Sequence, residues 1–173
     1  MSFYRWFIRG ASGILLAVAM HLSCQAQPGT VREISTRQLA QMIGQLHGPA
    51  ILNFWATWCG PCVEELPLIK QIAKSHRSDS LKILLISLDY ADAYPNKIRR
   101  FIRVHHLVTP VYWLNLKNPR ALVRLVDPDW KGVIPLTLML DPAHQYRRVY
   151  EQEMTPRQWE ERTAELLDSA RNP

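Results

Sequence analysis

Residues 50–67, AILNFWATWCGPCVEELP, decide the fold. The first seven, AILNFWA, form an almost unbroken apolar run, the pattern of a strand covered on both faces. From residue 61 onward the spacing becomes helical, with Val63, Leu66, Ile69, Ile72 and Ala73 on one side. Cys59-Gly60-Pro61-Cys62 sits at the junction. A strand running into a helix puts Cys59 at the helix N-terminus, where unpaired N–H groups and the helix dipole favour a thiolate. Pro61 suits the first turn, because its missing N–H costs no hydrogen bond there. Cys62 lies three residues on and can close a disulfide with little chain movement. This context predicts Cys59 as the exposed nucleophile and Cys62 as the buried resolving thiol, working through a mixed disulfide. A CxxC alone also fits half of a zinc site, a structural disulfide or coincidence. Zinc would need two further ligands. The third cysteine, Cys24, is far upstream, and His76, His105 and His106 form no ligand motif, so no metal is expected.

Outward from the dithiol, strand-like and helix-like segments alternate. Val31–Ile34 reads as a short strand. Ser35 then caps a helix, with Gln38 as capping-box partner and Leu39, Met42, Ile43 and Leu46 at helical spacing. Residues 81–88 (LKILLISL) and 133–140 (VIPLTLML) are two more buried strands, with a helix marked by Ile98, Phe101, Ile102 and His105 between them. Residues 146–150 form a weaker strand, paired as a hairpin with its predecessor across the turn-like 141–144. Thr155-Pro156 opens the last helix, with Gln158 as box partner and Trp159, Thr163, Leu166 and Ala170 on its apolar side. Residues 107–132 carry no assigned element. The expected order is βαβαβαββα, an α/β fold with a mixed central sheet and helices on both faces.

The chain has 173 residues, 47% hydrophobic and 21% charged, which suits one globular domain and excludes a disordered chain. Its three cysteines are too few for a disulfide-stapled mini-protein. The formal charge of +6 is modest, and the densest basic spots, Arg99-Arg100 and Arg147-Arg148, read as solvated faces. With no patch interleaving basic and aromatic residues, no nucleic-acid partner is expected. Residues 1–26 read as an export signal: Arg5 and Arg9 precede a short apolar run, residues 11–20, and then small and polar residues. Two processing outcomes compete. Cleavage after Ala26 would discard Cys24, whereas Leu22-Ser23-Cys24 is similar to a bacterial lipobox with Cys24 lipidated, although His21 departs from it. The expected domain is residues 27–173, exported, and periplasmic or anchored facing the extracytoplasmic side.

Residues 54–62, FWATWCGPC, resemble the active-site segment of thioredoxin. The continuation VEELP is closer to the exported, membrane-associated thioredoxin-like proteins of the TlpA/ResA type. The resemblance extends over residues 31–170 and implies the thioredoxin fold and disulfide reduction, often during cytochrome c maturation. It also implies a redox-active Cys59–Cys62 disulfide, with Gly60 and Pro61 as supporting residues. Ile134-Pro135-Leu136-Thr137 matches the family's cis-proline segment, whose backbone pairs with bound substrate. Pro67 matches a proline that kinks the active-site helix. Asn53 stands where thioredoxins carry a buried Asp. Asn cannot titrate near neutral pH, and the resemblance makes Glu65, one turn after Cys62, the candidate acid–base group; a solvated helix carboxylate is the alternative. The chain departs from the family in having no glycine in the hairpin turn (143–145) or after the last strand (152–154).

Trp58 is expected to cover Cys59 and to offer an apolar docking surface, while Trp55 could equally be core filler and Trp130 either a lid or a satellite-core residue. Carboxylates near Cys59 disfavour its thiolate, so its pKa is expected near about 7 rather than the ~3.5 of a strong oxidase. A less stabilised thiolate means a more stable disulfide and hence a reductant. No cofactor motif is present, so electrons would come from a membrane-bound donor and pass to a disulfide-bearing exported client. An oxidase or isomerase remains open, since CxxC does not set direction. A thiol peroxidase is disfavoured because Thr57 lies two residues before Cys59 and its PxxxTxxC pattern requires three. A copper-binding assembly module commonly has a wider Cys pair and a ligand His.

Overall fold

The structure is a computed structural model that describes residues 30–170. The expected export segment and Cys24 lie outside the described residues. Six strands, β1 (Val31–Ile34), β2 (Ala50–Trp55), β3 (Lys82–Ser87), β4 (Val111–Leu114), β5 (Leu136–Asp141) and β6 (Tyr146–Tyr150), form one sheet. The sheet order is β1-β4-β3-β2-β5-β6. The first four strands run parallel; β5 lies antiparallel to β2 and β6 antiparallel to β5. Five helices complete the fold: α1 (Thr36–Gly44), α2 (Gly60–Ser75), α3 (Asn96–Val104), α4 (Pro119–Val126) and α5 (Pro156–Ser169).

The mixed α/β sheet is that of the thioredoxin fold, with one strand and one helix more than the expected order. Both lie in residues 107–132. β4 has four residues and α4 eight, too short for periodicity to declare them. Asn118 caps α4 by accepting from Ala121 N–H, and Pro119 occupies its first turn. β5 begins three residues later than expected. Pro135 has no N–H to give to a ladder, Val133 is exposed, and Trp130 Nε1 donates to the Val133 carbonyl at 2.8 Å.

Every residue of β2 and β5 is buried, which is why both read as continuous apolar runs. Alternate side chains along β2 serve two cores. Ile51 and Trp55 join α2, α3 and α5 on one face, while Leu52 and Phe54 join α1 and α4 on the other. The capping boxes at Ser35/Gln38 and Thr155/Gln158 are formed as the sequence predicts. The β5–β6 turn needs a left-handed residue, and Gln145 takes it at φ 54°, where a glycine would meet no Cβ clash.

Leu138, fully buried on the α1/α4 face and in register with Leu52 and Val149, is the natural probe of this frame. Leu138→Ala is expected to cost about 2–5 kcal/mol by equilibrium urea unfolding, against about 1 kcal/mol for the cap substitution Thr155→Ala.

Candidate functional site: a disulfide at the head of a helix

The site lies where β2 ends and α2 begins. Trp55 is fully buried, its ring 5.2 Å from that of Phe101, so it is core filler. The chain then turns, with Cys59 N–H donating to the Ala56 carbonyl at 3.1 Å. Cys59 is the N-cap of α2 in extended conformation, with Pro61 in the first turn. Cys59 and Cys62 are joined by a disulfide with Cα atoms 5.3 Å apart. Cys62 N–H points at Cys59 Sγ at 3.3 Å, so a helix-start amide addresses this sulfur directly. Cys62 is fully buried, and Cys59 itself is only 6% exposed. The nucleophile predicted to be exposed is therefore almost wholly buried. α2 continues through Pro67 to Ser75.

One buried carboxylate anchors this turn. Asp89, just after β3, is 4% exposed. Thr57 N–H lies 3.1 Å from both of its carboxylate oxygens, and the Thr57 hydroxyl donates to Oδ1 at 2.6 Å. The Ser87 hydroxyl donates to Oδ2 at 2.8 Å, and Trp113 Nε1 donates to the Asp89 carbonyl at 2.8 Å. Thr57 is thus tied to the end of a neighbouring strand. Sequence reasoning passed over Asp89. The signal available was an Asp directly after the buried run 81–88, at the carboxyl edge of parallel strands where α/β folds place their sites.

The surroundings of the dithiol have two characters. Outside, Trp58 is half exposed and stacks on exposed Tyr90, ring centroids 5.8 Å apart. Tyr90 was likewise not singled out from sequence. The Ile134–Pro135 peptide is cis, and the Ile134 carbonyl oxygen lies 3.8 Å from Cys59 Sγ. That chain segment lies beside Cys59, while Trp130 is buried against Phe54 in the α1/α4 core. Inside, Asn53 and Glu65 are both fully buried on the α2/α5 side. Asn53 Nδ2 donates to Thr137 Oγ1 across the β2–β5 ladder at 3.0 Å. Glu65 Oε1 accepts from Met154 N–H, in the loop before α5, at 2.5 Å. Its other oxygen has no hydrogen-bond partner, and neither do Asn53 Oδ1 and Trp159 Nε1. Glu65 is therefore no solvated helix carboxylate. Burial pushes its pKa up to about 7, opposed by the Met154 N–H and the nearby Trp159 and Asn53 side chains and assisted by the charge of Glu153. Glu64, its neighbour, is exposed. Gly60 has open space where a Cβ would stand, so no close approach requires glycine there. Among the described residues no group of three or more His, Cys, Asp or Glu is placed to hold a metal ion.

Chemically, the arrangement offers a sulfur addressed by a helix-start amide, a second sulfur bonded to it, and a buried carboxyl poised to exchange a proton near neutral pH. A family model described as the AhpC/TSA family matches residues 23–172. Sporulation thiol-disulfide oxidoreductase A of Bacillus subtilis is 34% identical over 61 residues, covering 35% of this chain and 37% of that protein. Thiol-disulfide oxidoreductase ResA of Oceanobacillus iheyensis is 26% identical over 121 residues, covering 70% of this chain and 57% of that one. The chain thus spans well under two thirds of the length of these relatives. Among solved structures, the thioredoxin-related protein from Neisseria meningitidis serogroup B superposes with a TM-score of 0.61 at 25% identity, covering 76% of this chain and 91% of that one.

Two outcomes follow from this geometry. The folded Glu65 carboxyl keeps its proton to higher pH than the unfolded one. Stability is therefore greatest at and below the ordinary carboxyl range and falls as pH rises toward 7. Urea unfolding across that window is expected to show a slope approaching about 1.4 kcal/mol per pH unit, flattened in Glu65→Gln. Asp89→Ala leaves the Thr57 amide and the Ser87 hydroxyl without their acceptor and is expected to cost about 2–4 kcal/mol. The same change at exposed Asp92 should stay within about 0.5 kcal/mol.

Proposed function

Because the chain belongs to the AhpC/TSA family and joins Cys59 to Cys62 at the head of α2, we propose that it is a thiol–disulfide oxidoreductase working as a disulfide reductase. The observation that carries this reading is the Cys59–Cys62 disulfide with Cys62 N–H directed at Cys59 Sγ. In the reduced protein that amide and the helix dipole stabilise a Cys59 thiolate. The thiolate attacks one sulfur of a client disulfide, forming a mixed disulfide and expelling the client's other sulfur as a thiolate. Cys62, deprotonated toward Glu65, then attacks Cys59 Sγ and releases the second client thiolate. Two electrons pass to the client, which gains two thiols, and the Cys59–Cys62 disulfide is regenerated. A membrane-bound dithiol donor would return the protein to the reduced form by the same exchange in reverse.

Several residues support this cycle. Glu65 exchanges the proton of Cys62, since a carboxyl titrating near 7 can both take and give it at neutral pH. The Ile134 carbonyl beside Cys59 and the Trp58–Tyr90 stack form the client-facing surface. The TlpA/ResA resemblance and the thiol–disulfide oxidoreductases among the relatives favour an exported, extracytoplasmic role, with cytochrome c maturation as one setting. Disulfide exchange is favoured over peroxide reduction by one further observation. The Thr57 hydroxyl is committed to Asp89 rather than turned to a Cys59 substrate.

The test is the reduction potential of the pair, read from the alkylated fraction after equilibration in thiol redox buffers. A value at or below about −230 mV supports the reductase. A value between about −180 and −120 mV assigns the protein to isomerisation or oxidation instead. Cys59→Ser is expected to abolish turnover and Cys62→Ser to accumulate a mixed disulfide with the client.

A further inference from the structure

Charge is segregated along this chain in a way the overall value of +6 conceals. Residues 93–126 hold seven Lys and Arg and no acid, and residues 66–78 hold three and no acid. Residues 151–168 hold six acids against two basic residues. The fold turns part of this sequence bias into a surface. On α2, Pro67, Lys70, Gln71 and Lys74 recur at helical spacing on the side away from the core. With Arg77, His106 and Val108 they line a groove of about 500 Å³. The groove thereby joins the second half of α2 to the turn that follows α3. On α3, Ile98 and Ile102 are buried, leaving Arg99, Arg100 and Arg103 exposed on the remaining sides. Among the described residues none of these six Lys and Arg side chains is in a salt bridge, whereas the basic residues of α5, Arg157 and Arg162, are each paired with a glutamate.

We propose that this face, comprising the second half of α2, α3 and the turn after it, docks on an anionic phospholipid surface. Its chemistry is that of a peripheral membrane contact: long cationic side chains spread around isolated apolar ones. Val104 and Val108 are 63% and 59% exposed among these cations, and Pro67 and Ala73 contribute apolar surface to the groove. Protein interfaces draw their energy from aromatic anchors seated in pockets, and the exposed large apolar residues of this face are valines. The acidic α5 would be repelled by the same surface, so the charge asymmetry sets an orientation as well as an attraction. Cys59 opens α2 and Lys74 lies fifteen residues further on, a separation of about 22 Å at the helical rise. The α2 part of the face thus lies toward the far end of that helix from the dithiol, and the proposal stands independently of the redox reading.

The test uses the full chain and sedimentation with vesicles of phosphatidylcholine, with and without phosphatidylglycerol. Any binding through the N-terminal apolar segment is common to all variants, so the comparison between variants isolates this face. K70E/K74E/R77E is expected to lower partition onto the phosphatidylglycerol vesicles at least tenfold and to leave partition onto pure phosphatidylcholine unchanged. R99E/R103E is expected to act in the same direction, and it serves if the first variant fails to fold. In wild type, the preference for the anionic vesicles should vanish at about 0.5 M NaCl, where screening confines the field to a few ångströms. Circular dichroism and the reduction potential should match wild type in both variants. Equal partition of wild type and both folded variants onto anionic vesicles overturns the proposal. So does binding of soluble polyglutamate that depends on these residues while vesicle binding does not, which would assign the face to an acidic protein.

Discussion

A helix N-terminus can activate a thiol only if it is held still with its first amides facing that sulfur. Everything around the Cys59–Cys62 pair serves this constraint. β2 runs buried through the middle of the sheet and fixes where α2 starts. Asp89 ties Thr57 to the end of β3, so the turn between β2 and α2 is anchored at its second residue as well. The Asp89 carboxylate is itself buried, which is tolerable only because Thr57 and Ser87 donate to it. Trp113, from the inserted strand β4, donates to the Asp89 backbone. The strand that periodicity missed thus helps hold the site the sequence displays most openly.

Much of the fold was legible because it rests on local signals. The runs at 50–56 and 81–88 are long and apolar enough to declare strands buried on both faces. The boxes at Ser35 and Thr155 carry their caps within three residues. The dithiol was legible for the same reason, since all four of its residues are contiguous. What stayed hidden depends on contacts distant in sequence. Asp89 acquires its role from Thr57, 32 residues away. Glu65 is buried because α5 and the Met154 loop cover it, 89 residues further on, and no helical periodicity can say what will pack on a face. β4 and α4 are short, and the Asn118-Pro119 cap was their one local mark. The basic patch was hidden differently. Its residues are visible in sequence, but spread over two helices that only the fold brings side by side.

Glu65 and Asn53 are best understood together. Both are fully buried on the α2/α5 side of β2, and the Asn53 amide is among the side chains near the Glu65 carboxyl. Two carboxylates there would repel in a poorly hydrated space, and their titrations would merge into shared steps belonging to neither residue. A neutral amide on the strand removes that coupling. Asn53 spends its N–H₂ on Thr137 across the ladder, which ties β2 to β5 just beyond the Ile134–Pro135 segment. Glu65 is then the fully buried carboxyl on this side of the dithiol, and its value near 7 follows mainly from burial. A proton acceptor carried on the helix, rather than on the strand, is also covalently tied to the element that bears both cysteines. Glu65 follows Cys62 by three residues, so whatever fixes the register of α2 fixes the relation between that thiol and its proposed proton acceptor.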